Sequence, residues 1–256
     1  MAKICDFSLG GRVAIVTGGS RGIGRSIALG LAEAGAEVVV AARKRADLDL
    51  VVQEIEALGR QALPVECNVR EREHLDNLLK ATLARFGRLD ILVNNAGTNP
   101  VFGPILDMEE RAWDVVMNTN LKAVFLLSQA AARAMKERGG GGSIINVSST
   151  GGLRASKGLG GYSVSKAGLI MLTRVLAAEL GPYGIRVNAI APAIIRTKFS
   201  EYLWKTPEVY EPAVKGTPLG RIGEPDETAG AVVFLASDAA RYISGVVIPQ
   251  DGGAGA

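Results

Sequence analysis

The amino-acid sequence predicts an α/β protein with one doubly wound parallel sheet and helices on both of its faces. Short apolar runs of strand composition alternate with longer segments of helical periodicity along the chain, as in consecutive βαβ units. Glycine is frequent and aromatic residues make up only 5% of the chain; small aliphatic side chains suit strands that are buried on both faces. We find no linker and no internal repeat, so we expect a single domain over residues 1–256.

The first unit contains a glycine-rich turn between a strand and a helix. A strand is expected at residues 13–17, followed by Gly18-Gly-Ser-Arg-Gly-Ile-Gly24 and a helix at 25–34. Glycines in this context let the backbone approach a pyrophosphate, whose charge meets the free N–H groups at the start of the helix. The spacing, Thr-Gly-xxx-Gly-x-Gly, differs from the commoner Gly-x-Gly-x-x-Gly, and a plain glycine-rich connector is the alternative.

The end of the second strand, expected at residues 37–42, indicates which nucleotide is bound. NAD-binding proteins usually place an acidic residue there to hold the ribose 2′-hydroxyl, whereas a 2′-phosphate requires a base. Here Ala42 is followed by Arg43, and Arg21 lies in the glycine-rich turn. The missing acid and the two guanidinium groups favour NADP over NAD, unless Arg43 is merely solvated.

The rest of the chain continues the alternation. Strands are expected at residues 62–66, 90–93, 143–147, 185–190 and 246–248. Helices are expected at residues 47–58, 70–86, 109–138, 162–180 and 227–236. Asn118 and Asn120 should interrupt the long helical segment, because asparagine is unfavourable inside a helix.

Polar residues follow several of these strands. Asn68, Asn95, Ser148 and Ser149 each come directly or closely after a strand. The carboxyl ends of the strands line the ligand crevice in a doubly wound sheet, so these residues are expected at the crevice.

Aromatic residues cluster in one late segment. Phe199, Tyr202, Trp204 and Tyr210 fall within residues 193–218, in a chain otherwise poor in aromatics. We interpret this segment as a lid over an apolar ligand. A helix that packs on a partner subunit is nearly as good an interpretation.

Tyr162 and Lys166 are spaced for acid–base chemistry. Four residues apart, they share one face of the helix expected at 162–180. A neighbouring ammonium favours the phenolate, so Lys166 is expected to lower the Tyr162 pKa from its reference value of about 10. Ser149 could add a hydroxyl that holds a carbonyl oxygen. Alone, such a pair is more often part of an ordinary surface helix.

Several classes of function lack support. The net charge is +3 with no basic run or acidic tail, so nucleic acid is not expected as a partner. Cys5 and Cys67 form no disulfide framework, no residues have metal-ligand spacing, and the single His74 is interpreted as a solvated helix residue. Without an apolar leader, a membrane-spanning run or a C-terminal address, a cytoplasmic protein with reduced thiols is expected.

Motifs in one order across almost the whole chain closely resemble those of the classical short-chain dehydrogenases/reductases. They are Thr17-Gly-Gly-Ser-Arg-Gly-Ile-Gly24, Asn94-Asn-Ala-Gly97, Asn120, Ser149 and Tyr162-xxx-Lys166, with Pro192, Thr197 and Asp251-Gly-Gly253 in agreement. The resemblance implies a single-domain Rossmann fold with seven parallel strands. It also implies hydride transfer between a nicotinamide cofactor and a small carbonyl or alcohol substrate, and usually a homotetramer.

The resemblance assigns catalytic roles residue by residue. Tyr162 would be the general acid in reduction and the base in oxidation, and Lys166 would bind the nicotinamide ribose and lower the Tyr162 pKa. Ser149, rather than Ser148, would orient the carbonyl. Asn120 would hold a water of the proton relay.

The resemblance also places the cofactor. Contacts are implied for Gly18, Ser20, Arg21, Ile23, Arg43, Asn68, Val69, Asn95, Ile195 and Thr197, besides Tyr162 and Lys166. Asn68 replaces the usual aspartate, with little expected loss because it still offers an acceptor. Ala193 replaces the glycine usual after Pro192, so its methyl group could narrow the pocket or shift the backbone.

Three further segments narrow the resemblance. Asn99-Pro-Val-Phe-Gly103, residues 197–204 and Arg221-Ile-Gly-Glu-Pro225 look like the NADP-dependent retinol dehydrogenase/carbonyl reductase group, which implies reduction of aromatic ketones, α-dicarbonyls and retinal.

Two alternatives remain open. The first is reduction of 3-oxoacyl chains on acyl carrier protein, which needs basic residues near the mouth of the site. Arg138 could be one of these, but Tyr183 stands where a second base is usual. The other alternative is a non-catalytic nucleotide-binding scaffold. Such a protein would have lost the tyrosine or the lysine, and both are present.

Overall fold

A computed structural model of the chain describes residues 5–256. Its strands are β1 (Val13–Thr17), β2 (Glu37–Ala42), β3 (Ala62–Glu66), β4 (Ile91–Asn94), β5 (Gly142–Val147), β6 (Ile185–Pro192) and β7 (Val247–Gln250). They form one seven-stranded sheet in the order β3-β2-β1-β4-β5-β6-β7, and every neighbouring pair runs parallel. The predicted fold class is therefore confirmed.

Nine α-helices connect these strands within the described part of the chain. They are α1 (Gly22–Glu33), α2 (Arg45–Ala57), α3 (Arg72–Phe86), α4 (Glu110–Met117), α5 (Ala123–Arg138), α6 (Gly160–Leu180), α7 (Glu201–Lys205), α8 (Pro207–Lys215) and α9 (Ala229–Ala236). None of them is both long enough and apolar enough to cross a membrane.

The core has two layers because successive strand residues point to opposite faces. On one face Ala14 and Val16 of β1 pack with residues of α1, α2 and α9. On the other face Val13 and Ile15 pack with residues of α3, α5 and α6. Strands covered on both faces are apolar throughout, and all five residues of β1 are buried.

The strand order reverses between β1 and β4. From β1 the chain first moves outward to β2 and β3, then returns to place β4 on the other side of β1. Loops leaving β1 and β4 therefore diverge at the carboxyl edge of the sheet and leave a crevice, which is the usual ligand site in this architecture.

The predicted interruption of the long helical segment takes the form of a single wide turn. Asn118–Lys122 is π-helical, with the N–H of Ala123 bonded to the carbonyl of Asn118 five residues earlier. Such turns occur frequently at functional sites. The segment therefore stays continuous from α4 to α5.

Some predicted boundaries were wrong by a few residues. Helix α1 begins at Gly22, three residues before the expected start, because the glycine-rich turn already contributes its first helical residues. The helix expected from residue 227 begins at Ala229 and follows a 3₁₀ turn, Pro225–Thr228. That turn is held by a capping box between Glu224 and Glu227.

Candidate active site

A cavity of about 1320 Å³ opens at the carboxyl edge of the sheet. Its wall includes almost all of the predicted site residues: Gly18, Ser20, Arg21, Ile23, Arg43, Asn68, Val69, Asn95, Ser149, Tyr162, Lys166, Ile195 and Thr197. Asn120 is the exception and lies behind the wall. The cavity exceeds the roughly 300–1,000 Å³ of ordinary small-molecule pockets, so it has room for a dinucleotide and a substrate together.

The glycine-rich turn is held tightly against β4. A Cβ on Gly24 would lie 2.2 Å from the carbonyl oxygen of Gly18, so only glycine fits there. Thr17 Oγ1 accepts hydrogen bonds from the N–H groups of Asn95 (3.0 Å) and Ala96 (3.1 Å). Asn95 Nδ2 donates to the carbonyl of Thr17 at 2.9 Å. The side chain of Asn95 thus braces the turn, and its contact with a ribose stays a prediction.

The start of α1 fits a phosphate group. Its N-cap residue, Arg21, makes no side-chain capping bond, so the first N–H groups of α1 have no side-chain acceptor. Such N–H groups and the helix dipole attract anions. The turn brings this helix end to the cavity wall, where a pyrophosphate could approach it.

Four cations surround the same half of the cavity. Arg21, Arg43, Lys44 and Arg70 line it after β1, β2 and β3. None of the four forms an ion pair with a carboxylate of residues 5–256. Arg25, by contrast, pairs with Glu54 at 2.6 Å. Cations without a carboxylate partner at this end could bind an anionic group of a ligand.

Asn68 is fixed by its neighbours at the cavity wall. Its N–H donates to His74 Nδ1 at 3.1 Å, and its Oδ1 accepts from the N–H of Arg70 at 3.3 Å. His74 is exposed in α3, so its interpretation as a solvated helix residue is confirmed. Its ring also caps the loop after β3 through this bond. A lone histidine offered no sequence signal for this local bond.

Ser149, Tyr162 and Lys166 meet at the carboxyl end of β5. Lys166 is only 4% exposed, and its Nζ donates to the carbonyl of Val147 at 2.7 Å. The same Nζ lies 5.6 Å from the centre of the Tyr162 ring. Ser149 Oγ accepts from the N–H of Gly151 at 3.1 Å, which orients its hydroxyl near the phenol.

Burial shifts both pKa values at this site away from the charged forms. It raises the pKa of Tyr162 to about 12, and the nearby Ser149 hydroxyl opposes this only in part. It lowers the pKa of Lys166 to about 8. The expectation that Lys166 lowers the Tyr162 pKa below its ordinary value was wrong for the ligand-free chain, because desolvation is the larger cause. The phenol therefore keeps its proton throughout the neutral range.

Asn120 connects the loop after β4 to α6. It is fully buried, and its Oδ1 accepts from the N–H of Thr98 at 2.8 Å. Its Nδ2 donates to the Thr98 carbonyl (2.9 Å) and to Ser165 Oγ (3.0 Å). Ser165 in turn donates to the Tyr162 carbonyl at 2.7 Å. Asn120 thus helps to position the helix that carries Tyr162, and its water-holding role stays a prediction.

Helices α7 and α8 lie within the predicted lid. The rings of Tyr202 and Phe102 have centroids 5.3 Å apart, and those of Phe199 and Tyr162 are 6.2 Å apart. Trp204 does not line the cavity; its Nε1 donates to the Thr197 carbonyl at 3.0 Å. Of the four predicted aromatic residues, Phe199 and Tyr202 therefore line the cavity, whereas Trp204 and Tyr210 do not.

Ala193 fits its position without strain. Its N–H donates to the carbonyl of Gln250 at 3.0 Å. No residue other than glycine has a positive φ among those described, so the backbone at Ala193 does not require glycine. Ala193 borders the cavity. Of the two effects expected from replacing glycine here, a backbone shift is therefore not needed, and a narrower pocket stays a prediction.

Asn99 and Gln250 line the cavity but were not predicted as site residues. Asn99 Nδ2 and Gln250 Oε1 are both buried without a hydrogen-bond partner. Buried polar atoms without partners are rare and mark places where a ligand or water can bind. The sequence signal for Asn99 was its place in the loop that follows β4. Nothing in the sequence distinguished Gln250.

Arg138 lies at the opposite edge of the sheet. Its Nη2 lies 3.2 Å from Asp90 Oδ1 and 2.7 Å from the carbonyl of Gly141. Asp90 and Gly141 directly precede the strands β4 and β5, so this edge is the one away from the cavity. The suggestion that Arg138 meets an acidic partner at the mouth of the site was therefore wrong.

Comparisons with known proteins agree with this arrangement. A family model described as enoyl-(acyl carrier protein) reductase matches residues 18–255. Dehydrogenase/reductase SDR family member 4 from Oryctolagus cuniculus is 41% identical over 246 residues, covering 96% of this chain and 94% of the relative. A 3-oxoacyl-[acyl-carrier-protein] reductase from Synechocystis is 43% identical over 249 residues, which cover 96% of this chain and 98% of the relative.

Solved structures show the same similarity. A short-chain alcohol dehydrogenase from Sinorhizobium meliloti superimposes with a TM-score of 0.94 at 42% identity, over 98% of both chains. A 7α-hydroxysteroid dehydrogenase in complex with NADH and 7-oxo glycochenodeoxycholic acid has a TM-score of 0.94 at 36% identity, over 99% of this chain and 98% of that one. The chain therefore belongs to the short-chain dehydrogenase/reductase family of nicotinamide-dependent oxidoreductases.

Proposed function

We propose that this protein reduces a ketone or aldehyde to the alcohol with NADPH. The observation that carries the proposal is the meeting of Ser149, Tyr162 and Lys166 on one wall of the cavity that also holds the glycine-rich turn. When bound there, the dinucleotide supplies the hydride. The chain itself has to bind the two reactants, orient the carbonyl and deliver a proton.

The side chains on this wall divide those tasks. The Ser149 hydroxyl, oriented by Gly151, donates a hydrogen bond to the substrate carbonyl. The Tyr162 phenol, protonated at neutral pH, gives its proton to the oxygen as negative charge develops there. Lys166 holds the ribose. Its positive charge favours the proton transfer, because its attraction for the developing phenolate is stronger in low-dielectric surroundings than in water. Asn120 keeps α6 in place behind them.

The preference for NADPH rests on charge. Arg43 and Arg21 would bind the 2′-phosphate, a group that Lys44 and Arg70 also attract. Gly18, Ser20 and Ile23 would surround the pyrophosphate, while Asn68 and Val69 would contact the adenine. Asn95 would contact a ribose, and Ile195 and Thr197 the nicotinamide. No acidic residue at the end of β2 offers the usual partner of an NAD ribose.

Apolar and aromatic ketones and α-dicarbonyls are the proposed substrates. Phe102, Phe199 and Tyr202 present aromatic faces to the half of the cavity next to Tyr162. A flat or apolar group could pack there while its carbonyl reaches Ser149. The Dehydrogenase/reductase SDR family member 4 proteins are 40–41% identical to this chain, which supports the same group.

Reduction of 3-oxoacyl groups on acyl carrier protein is the second candidate. The 43% identical Synechocystis reductase favours it. The position of Arg138 on the far edge of the sheet argues against it, because an acidic carrier would have to dock near the cavity mouth.

A homotetramer in the cytoplasm completes the proposal. Val164, Met171 and Val175 form an exposed apolar row on α6. Phe125, on α5, is exposed as well. Apolar rows of this kind are usually covered by another subunit. Cys5 and Cys67 are both free thiols, in keeping with a reducing compartment.

The experiment that tests the proposal compares substrates and cofactors side by side. NADPH oxidation is followed with an α-dicarbonyl, an aromatic ketone and a 3-oxoacyl thioester, and each assay is repeated with NADH. Ketone turnover well above thioester turnover, with NADPH preferred, is the expected result. A preference for the thioester would assign the second candidate instead, and a preference for NADH would contradict the role of Arg43.

A further inference from the structure

Seven of the cations that line the cavity form two groups on opposite halves of the sheet; of the other two, Lys166 belongs to the site described above and Arg221 is paired with Glu227. Nine cationic and only three acidic side chains face the cavity. Arg21, Arg43, Lys44 and Arg70 follow β1, β2 and β3. A second group, which we call the distal cations, follows β5 and β6 and consists of Arg154, Lys157 and Lys198.

The distal cations lie too far from the first group to serve the same phosphates. Three strand-to-strand steps separate β2, which precedes Arg43, from β5, and two steps separate β1, which precedes Arg21, from β5. Because neighbouring strands are about 4.8 Å apart, the loops after β2 and β1 lie roughly 14 Å and 10 Å from the loop after β5. The nucleotide's anionic groups are its phosphates, which the proposed function places near α1 and Arg43. The nicotinamide end brings no anion to the distal half. These cations therefore lack a counter-ion from the cofactor.

The loop that carries Arg154 and Lys157 is fixed close to the reacting groups. Arg154 lies about one turn after Ser149 along the chain. Its N–H donates to the Thr150 carbonyl at 3.1 Å. Its Nη1 donates to the carbonyl of Ala254 at 2.8 Å, so one nitrogen holds the guanidinium on the C-terminal segment. Next to Lys157, the carbonyl of Gly158 accepts from the N–H of Gly103 at 3.1 Å. The remaining N–H groups of the Arg154 guanidinium are available to a ligand.

Acidic side chains of the protein do not neutralise the distal cations. None of the three forms an ion pair with any residue in the range 5–256. Glu201 pairs with Lys205 and also interacts electrostatically with Lys198. Asp251 accepts from the N–H of Gly253 at 3.1 Å and forms no ion pair with Arg154 or Lys157. Arg154 and Lys157, both exposed, therefore have no carboxylate partner within the described residues and are open to an anionic ligand.

A neutral donor points to the same kind of ligand. Asn99 Nδ2 is buried without an acceptor at the wall. Asn99 directly follows Thr98, whose backbone is bonded to Asn120. A substrate oxygen additional to the reacting carbonyl would satisfy this amide, since a buried donor without a partner is unfavourable.

We propose that the substrate is an anionic ketone, whose carboxylate or phosphate binds Arg154 and Lys157 while its apolar body packs against Phe102 and Tyr202. Arg154 is the main determinant, because a guanidinium binds a planar oxyanion through two parallel hydrogen bonds. This inference rests on the proposed reduction of ketones and adds the charge of the substrate to it.

Matched acids and esters isolate the charge. At saturating NADPH, kcat/KM is compared for benzoylformate and its methyl ester, and for 4-acetylbenzoate and its methyl ester. A phosphate arm compares 4-acetylphenyl phosphate with 4-methoxyacetophenone, so that both compounds carry the same aromatic ketone. We expect the anion to exceed its neutral partner at least tenfold in one arm, and the arm identifies carboxylate or phosphate as its source. Neutral partners that equal or exceed the anions in every arm would overturn the inference.

Variants locate the effect on the chain. Arg154→Gln keeps an amide donor for the Ala254 carbonyl but removes the charge, and Lys157→Gln removes the second charge. Each should lower kcat/KM for the preferred anion about tenfold or more and change that of the neutral partner less than about twofold. Arg154→Lys should recover part of the preference. Lys215→Gln removes an exposed charge outside the cavity and should leave both values unchanged.

Binding without turnover gives an independent readout. In calorimetric titrations of the protein saturated with NADP⁺, which has no hydride to give to a ketone, the keto acid should bind more tightly than its methyl ester, and Arg154→Gln should remove the difference. An unchanged difference in this variant would overturn the role of Arg154. If every ester and ketone is also inert with NADPH, the proposed function itself has failed; ester turnover without a preference for the acid refutes only the charge inference.

Discussion

The buried ammonium of Lys166 should make the stability of this protein depend on pH in a defined direction. Burial lowers its pKa from 10.5 to about 8. Because each pKa unit corresponds to about 1.36 kcal/mol, burial disfavours the charged form by about 3 kcal/mol below pH 8. Between about pH 8 and 10.5 the unfolded chain binds more protons than the folded one, so the wild-type free energy of unfolding rises with pH through this range.

Replacing Lys166 with methionine removes this dependence. The Lys166→Met variant loses the hydrogen bond to the Val147 carbonyl, which costs about 1–3 kcal/mol at any pH. It gains about 3 kcal/mol at pH 7, because no buried charge remains, but less than about 1 kcal/mol at pH 10. We therefore expect the inactive variant to be as stable as the wild type or more stable at pH 7, and to be less stable at pH 10.

Urea unfolding of both proteins without added ligand, at one protein concentration and at several values between pH 7 and pH 10, measures the difference in free energy of unfolding between Lys166→Met and the wild type. This difference should change by about 2–3 kcal/mol between pH 7 and pH 10, which corresponds to several degrees in Tm for a chain of this length. Lys215→Met, at an exposed lysine, should show no such change. A stability difference between Lys166→Met and the wild type that stays constant from pH 7 to pH 10 would refute the reasoning.

Three further predictions concern the phenol, the nucleotide and the subunit contact. Tyr162→Phe should abolish reduction, because the proton donor is lost, while the NADPH Kd measured by fluorescence titration stays within about twofold; retained turnover would contradict the assignment. Arg43→Asp should raise the NADPH Kd about 10- to 100-fold through the loss of a charge-assisted bond and shift the preference toward NADH. An unchanged NADPH Kd would show that Arg43 does not bind the 2′-phosphate. Met171→Asp should lower the molar mass measured by light scattering, because it places a charge on the exposed row of α6; an unchanged mass would exclude this row as a contact.

The fold and most of the cavity wall could be predicted because local patterns determine them. Apolar runs followed by small polar residues mark where strands meet the crevice, so Asn68, Asn95 and Ser149 could be placed from order alone. The helix starts near Gly22 and Ala229 were less predictable. Each depends on hydrogen bonds between a turn and the backbone that follows it, and residue types report these bonds poorly.

Contacts between distant segments set the limits of the prediction. The role of Asn120 as a brace for α6 depends on its contact with Ser165, 45 residues later in the chain, which forms only after folding. The side of the sheet on which a base lies was equally hidden. Arg138 ends a helix that leads into β5 and therefore lies at the edge away from the cavity, whereas Arg154 follows β5 and faces it. Chain direction relative to the strand, more than residue type, decides which arginine can meet a ligand.

Desolvation acts on Tyr162 and Lys166 in opposite directions, and this bears on the direction of the reaction. It holds the proton on the phenol and weakens the hold of the amine on its own proton. Reduction consumes a proton at the carbonyl oxygen, so the ligand-free site is already in the protonation state that reduction needs. Oxidation needs the phenolate, which at neutral pH is disfavoured. With a pKa of about 8, Lys166 remains mainly an ammonium at neutral pH. Its positive charge therefore lies close to the phenol at the pH where the proposed reduction takes place, and it favours the negative charge that Tyr162 acquires on losing its proton.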